Sequence, residues 1–140
     1  MKPVIFDSGP LVAFFCPRDT HHAWALQIFA EIPPGGIICE AVLTEVCYLA
    51  AKAGVPRSKV LEFVEDGCLQ AIHLGNDLPA IRELLDQYAD TPMDFADACV
   101  VRLAELHANS TVCTTDGHFN FFRKHQIEKI SLLAPFAATS

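Results

Sequence analysis

The sequence predicts an α/β domain in three layers, with a central, mainly parallel sheet flanked by helices. Two observations predict it. Short apolar runs of strand length recur along the chain, and helix-length segments separate them, an order that gives a parallel sheet covered on both faces. Hydrophobic residues make up 51% of the chain and charged residues 19%, which fits a globular fold and argues against disorder. With 140 residues, one compact domain over positions 1–140 is expected, burying roughly two thirds of its unfolded surface. No internal repeat or low-complexity linker divides it.

The first strand is read over Lys2 to Asp7, apolar and with Pro3 at its start, where an amide donor is dispensable. A helix follows from Ser8 or Gly9, with Pro10 suited to its first turn and Cys16-Pro17 closing it. Asp19 or Thr20 is placed to cap a second helix running to about Glu31, and Pro33-Pro34-Gly35-Gly36 breaks the chain after it. Ile37-Ile38-Cys39 is a buried strand, and Glu40 to Ala53 is a helix of strong formers ended by Gly54. Pro56 to Asp66 reads as another helix, with Gly67 past its end. Leu69 to Leu74 gives a strand, and Asp77 caps a helix carrying Leu78, Ile81, Leu84, Leu85 and Tyr88. Asp90-Thr91-Pro92 turns the chain into a helix over Met93 to Ala108. Thr111 to Thr115 and Ile130 to Leu133 complete the strands.

A net charge of −7 disfavours broad adhesion to nucleic acid through a basic surface, but a nuclease remains open, because ligands for a catalytic cation are themselves acidic. Arg18, Arg102, Arg123 and Lys124 are candidates for a local basic rim, against their ordinary role as solvated surface charges. No apolar run reaches the roughly 20 residues that cross a bilayer, and the start MKPVIFDSG lacks the features of a signal peptide, so the cytosol is the expected address. The six cysteines show no CxxC pair and read as buried free thiols. The histidines show no HExxH pattern and receive no metal role. Trp24, Phe119, Phe121 and Phe122 read as core or dimer contacts before base-stacking platforms.

Four acids stand out by their settings. Asp7 ends an apolar run, Glu45 and Asp97 interrupt apolar helix patterns, and Asp116 follows another apolar stretch. A carboxylate in apolar surroundings is costly to ionise and persists by finding a partner or by serving a site that needs its charge. Asp7 and Asp116 fall at strand carboxyl ends, where ligands of open α/β sheets bind. Asp97 shares a helical stripe with Met93, Val100, Val101 and Ala104 and so points to the packed side. Asp94, one turn earlier, is a further candidate, with an N-cap role beside Pro92 as the alternative. Hard oxygen ligands without basic neighbours suit Mg²⁺ or Mn²⁺.

In these four acidic segments the chain resembles the PIN-domain family, in particular the VapC-type ribonuclease toxins of bacterial toxin–antitoxin pairs. V-I-F-D-S-G-P-L is similar to the family's first motif, T-E-V-C-Y-L to its Glu motif, P-M-D-F-A-D-A-C-V-V-R-L-A-E to its central Asp motif and V-C-T-T-D-G-H-F to its late Thr-x-Asp motif. The resemblance spans nearly the whole chain and implies a PIN-like fold. It implies Asp7, Glu45, Asp97 and Asp116 as the catalytic acidic set around Mg²⁺ or Mn²⁺, with Ser8 and Thr115 as polar support. Asp7 and Asp97 are assigned as direct ligands, Glu45 and Asp116 as ligands through water or organisers of a second ion. It also implies an RNA substrate, a homodimer and a cognate antitoxin whose tail reaches the acidic groove. Gly117 departs from the pattern, since many relatives carry a basic residue there.

Two competing readings are set against this one. An Asp-nucleophile phosphotransferase fits Asp7 at a strand end, but the second Asp it needs two residues later is replaced by Gly9. A catalytically silent PIN-like module that binds RNA or a protein partner is the alternative from another class, and it leaves the retention of all four acids unaccounted for.

Overall fold

A computed structural model describes residues 2–136; Met1 and residues 137–140, the ends of the expected domain, lie outside the described residues. Its strands are β1 (Val4–Phe6), β2 (Gly36–Cys39), β3 (Leu69–Ile72), β4 (Thr111–Cys113), β5 (Arg123–Lys124), β6 (Glu128–Lys129) and β7 (Leu132–Leu133). Its helices are α1 (Ser8–Phe15), α2 (His22–Glu31), α3 (Glu40–Lys52), α4 (Arg57–Glu65), α5 (Leu78–Gln87) and α6 (Phe95–Leu106). One parallel sheet of five strands runs in the order β3-β2-β1-β4-β7, and β5 and β6 form a separate antiparallel hairpin. The predicted mainly parallel sheet flanked by helices is therefore what the chain forms.

The central strands are buried along their whole length, as in sheets covered on both faces: every residue of β1 and β2 is buried, whereas edge strand β3 exposes Gln70 and Ala71. Helix α3 rests on β2, α4 on β3, and α6 on both β1 and β4. Ala96, Ala98 and Ala104 on α6 are buried beside Val100, Val101 and Leu103, so small side chains let this helix approach closely. Burying Leu103 alone is worth about 1.5–3 kcal/mol. Phe6 stacks on Phe29 at 5.0 Å, and Phe14, Phe15 and Phe63 extend this aromatic packing.

The strand order fixes where a ligand can sit. The chain moves outward from β1 to β2 and β3, then returns to β4 on the other side of β1. Connections that leave in opposite directions from adjacent strands open a crevice at the carboxyl ends of β1 and β4. Phe6 lies opposite Cys113 in the parallel register, so Asp7 and Thr114 leave the sheet side by side at that crevice.

Several element boundaries differ from expectation, each for a local reason. Helix α2 starts at His22, and neither Asp19 nor Thr20 caps it; the Asp19 carboxylate instead accepts the His21 amide at 2.9 Å, a turn that precedes the helix. The helix expected from Met93 begins at Phe95, because Asp94 has extended backbone and caps it. Asp77 occupies the N-cap position of α5 without a side-chain cap bond, and a 3-10 turn over Gly75–Asp77 precedes it. The hairpin of β5 and β6 was not anticipated: its turn holds His125 and Gln126 at φ of 50° and 69°, where glycine or asparagine is the usual signal.

Among the described residues no helix is long and apolar enough to cross a membrane. All six cysteines carry free thiols; Cys16, Cys39, Cys99 and Cys113 are buried, and Cys47 and Cys68 are half-buried. Phe119 and Phe122 belong to the core and Trp24 packs against it, but Phe121 is largely exposed.

Candidate functional site

Asp7 is the centre of the site because the sheet puts it there. Its amide donates to the Cys113 carbonyl at 3.0 Å, the last rung between β1 and the chain leaving β4. Its carboxylate is only 5% exposed, and Oδ2 accepts the Thr114 hydroxyl at 2.7 Å. Thr114 Oγ1 in turn accepts the Asp116 amide at 2.9 Å. A hydroxyl that already accepts a proton has its own proton to give, so this relay fixes the Asp7 carboxylate in one orientation.

Thr114, fully buried, was missed by the sequence reading, which named Thr115 as the polar support. Thr115 lies against the first turn of α1. A Cβ on Gly9 would come within 1.9 Å of Thr115 Oγ1, so the absent side chain lets the first turn of α1 dock against the segment after β4. Ser8, the first residue of α1, is buried and its hydroxyl donates to Glu45 Oε1 on α3, which joins the two packed helices at the site.

Asp97 is half-buried at the third position of α6. Its Oδ2 accepts the Asp94 amide at 3.1 Å, and Asp94 Oδ1 accepts the Asp97 amide at 2.8 Å. This reciprocal capping box holds the helix start and aims Asp97. Asp94 therefore serves as an N-cap, one of the two roles foreseen for it. Asp116, half-buried beyond β4, accepts both the amide and the Nδ1 of His118, at 2.9 and 2.8 Å. The His118 contact was not anticipated; the i,i+2 spacing after a turn-forming Asp-Gly is the signal for it.

The electrostatics show which acids share a field. Burial pushes the Asp7 carboxyl up from 3.8 to about 6, against the hydrogen bonds from Thr114 and the Ser8 amide, with the Glu45 and Asp116 charges adding to the rise. Burial likewise raises Asp97 to about 7, opposed by the Asp94 amide and reinforced by the charges of Asp94, Asp7 and Asp116. Asp7, Glu45, Asp97 and Asp116 are thus linked by their charges acting on Asp7 and Asp97, with Asp94 acting on Asp97. The four come from separate segments: the end of β1, α3, α6 and the turn after β4.

The donor set fits a hard divalent cation. It consists of carboxylate oxygens, and among the described residues none of Asp7, Glu45 and Asp97 pairs with a lysine or arginine. Among the described residues, no three His, Cys, Asp or Glu side chains gather closely enough to enclose an ion unaided. An ion here would keep several waters, the habit of Mg²⁺ bound through one or two carboxylates. The proposed basic rim is mostly committed elsewhere. Arg102 is shared between Asp77 at 3.4 Å and Glu105 at 3.2 Å, Arg123 donates to the Asn120 and Phe122 carbonyls, and Lys124 lies 4.0 Å from Glu128.

Comparison with known proteins gives a family and a fold. The family model described as PIN domain matches residues 4–124. The crystal structure of VapC20 of Mycobacterium tuberculosis, described as a sarcin-ricin loop cleaving toxin, superposes with a TM-score of 0.78 at 18% sequence identity, covering 89% of this chain and 98% of that one. At that identity the likeness is one of fold. No curated protein matches the chain.

Proposed function

The chain belongs to the PIN-domain family, and we propose that it is a metal-dependent endoribonuclease that hydrolyses RNA phosphodiester bonds as the toxin of a toxin–antitoxin pair. The observation that carries this reading is the buried Asp7, held by Thr114 at the strand switch point with Glu45 and Asp116 in its field and Asp97 in turn within the field of Asp7. Mg²⁺ or Mn²⁺ bound by Asp7 and Asp97, with Glu45 and Asp116 acting through water, would supply the positive charge that lowers the pKa of a water and offsets charge on the scissile phosphate.

The chain's own residues do the positioning. Thr114 fixes Asp7, Ser8 fixes Glu45, the capping box fixes Asp97, and His118 holds Asp116. Each acid thereby loses rotamer freedom before substrate arrives, which is the preorganisation that electrostatic catalysis requires. The raised Asp7 and Asp97 carboxyls are ready acceptors for a cation as pH rises through about 6 to 7, because binding displaces their protons. RNA is the substrate class favoured by the family and by the fold shared with VapC20.

The same reading makes the chain a single domain over 1–140, working in the cytoplasm as a homodimer restrained by an antitoxin. Exposed Tyr48 and Leu49 on α3 support an apolar contact between copies, and an uncompensated acidic crevice supports an antitoxin that inserts a basic side chain. One observation favours a second reading: since no three His, Cys, Asp or Glu side chains among the described residues stand close enough to enclose an ion, a catalytically silent module that binds RNA or a protein partner also fits. Incubation with single-stranded RNA separates the two. Cleavage that requires Mg²⁺ or Mn²⁺ and stops with chelator supports the nuclease; binding without cleavage at any cation concentration establishes the silent module.

A further inference from the structure

A second hollow, of about 160 Å³, opens on the same rim of the sheet as the acids. It lies where Cys39 ends β2 and Leu74 follows β3, at the carboxyl ends of two strands. Strand β2 is the neighbour of β1 and strands stand about 4.8 Å apart, so the hollow lies about 5–10 Å along the rim from Asp7. Glu40 and Phe95 line it, and they begin the two helices, α3 and α6, that carry Glu45 and Asp97. Leu78 and Phe95 stand on it 52% and 48% exposed, while Cys39 and Cys99, each 2% exposed, close its inner end. Large apolar side chains exposed singly are ordinary; two on one hollow mark a binding surface. At the mouth His73 Nδ1 donates to Glu40 Oε1 at 2.9 Å. Glycine at 75 makes room for the His73 ring, since a Cβ there would come within 2.5 Å of Nε2.

We propose that this hollow seats the base of one nucleotide of the RNA substrate, beside the scissile phosphate, and prefers guanine. The substrate class rests on the ribonuclease reading; binding of the base needs no cleavage. A phosphate finds nothing here, because the walls are apolar and the Glu40 carboxylate at the mouth repels it. A flat base suits both parts. Its faces pack on Phe95 and Leu78, as single-stranded bases stack on aromatic side chains, and the volume, below the roughly 300 Å³ at which drug-sized sites begin, admits one ring system. Its edge meets Glu40, whose carboxylate accepts from His73 and has lone pairs left to accept more. Guanine offers such an acceptor two adjacent donors on one edge, N1–H and the 2-amino group. Adenine and cytosine set an acceptor nitrogen beside their amino group, and uracil flanks its one donor with two carbonyls, which a carboxylate repels. His73 fixes the Glu40 rotamer, so the acceptor is in place before the base arrives.

The test measures binding to the full chain by fluorescence anisotropy in EDTA, with single-stranded RNA hexamers of three kinds: uridines with one guanosine, the same with inosine, which lacks the 2-amino group, and uridines alone. The guanosine hexamer should bind about tenfold tighter than the uridine hexamer, with inosine between. Phe95→Ala should weaken the guanosine hexamer about tenfold, whereas Phe95→Tyr, which keeps the stacking face, should restore it. Glu40→Gln should erase the guanosine preference, with the fold of each variant checked by circular dichroism. Cleavage sites of the wild type in a mixed-sequence RNA with Mg²⁺ should fall at one fixed distance from guanosine, and Glu40→Gln should lose that register. Equal binding of the three hexamers by the wild type, as a surface that serves a protein contact would give, overturns the proposal whether or not RNA is cleaved. A guanosine preference that survives both Phe95→Ala and Glu40→Gln overturns it as well. A guanosine preference that these variants abolish, without cleavage in Mg²⁺, supports the base site and overturns the nuclease reading instead.

Discussion

Replacing Asp7 with asparagine should make the cation-free protein more stable at neutral pH, although the residue is buried at the centre of the site. The Asp7 carboxyl rises from 3.8 to about 6 on folding, chiefly through burial. Keeping it ionised above that value costs the native state roughly two pH units, about 3 kcal/mol. The native state binds more protons than the unfolded chain between the two values. Stability in chelator should therefore fall as pH rises from about 4 to about 7 and level off above. Asparagine presents the same carbonyl oxygen to the Thr114 hydroxyl but carries no charge. Losing the charge-assisted part of that hydrogen bond costs about 1 kcal/mol, so the net gain at about pH 7.5 is on the order of 2 kcal/mol. For a chain of this size that is a rise in Tm of about 6 °C. Thermal melts in EDTA by circular dichroism, at about pH 7.5 and about pH 4.5, measure it, with the gain vanishing or reversing at the lower pH. An asparagine variant that melts lower at neutral pH, or gains equally at both, would refute the argument that Asp7 is held ionised at a cost.

Two further substitutions probe the supports. Thr114→Val deletes both the donor to Asp7 and the acceptor for the Asp116 amide; melts should show a loss of about 1–3 kcal/mol, and the Mg²⁺-induced rise in Tm should move to higher pH as Asp7 becomes harder to ionise. Asp97→Asn keeps an acceptor for the Asp94 amide, so it should melt in EDTA at or above the wild type, whereas Asp97→Ala should lose about 1 kcal/mol of cap. Both Asp97 variants should lose most of the stabilisation that the cation gives the wild type, about 1.4 kcal/mol at ten times Kd.

What could be read in the sequence was what depends on local pattern. Val-Ile-Phe followed by Asp announces a buried strand with an acid at its carboxyl end, and acids placed among alanines and valines announce Glu45 and Asp97. What depends on pairing between distant segments was hidden. Thr114 touches Asp7 because Phe6 lies opposite Cys113, a register that nothing in either segment specifies, so the sequence reading named only Thr115. Asp94 was foreseen as a cap of α6 or a member of the acidic set; its reciprocal bonds with Asp97 make it the cap, in a capping box with Asp where Glu or Gln is usual. The hairpin of β5 and β6 escaped because its strands are charged and its turn is built from His125 and Gln126. Arg102 read as a rim or solvated surface charge; its bond to Asp77 joins distant segments, although Glu105, three residues on in the same helix, was within reach of a sequence reading.

In the proposed function, Asp7 and Asp97 hold the cation that makes this chain a ribonuclease. The most direct test follows cleavage of single-stranded RNA by the wild type, Asp7→Asn and Asp97→Asn side by side, in Mg²⁺, in Mn²⁺ and in EDTA, with RNA binding measured on the same samples. The wild type should cleave in either cation and not in EDTA, and both variants should lose cleavage while each still binds RNA. Cleavage undiminished by EDTA, or near wild-type turnover in either variant, would contradict it.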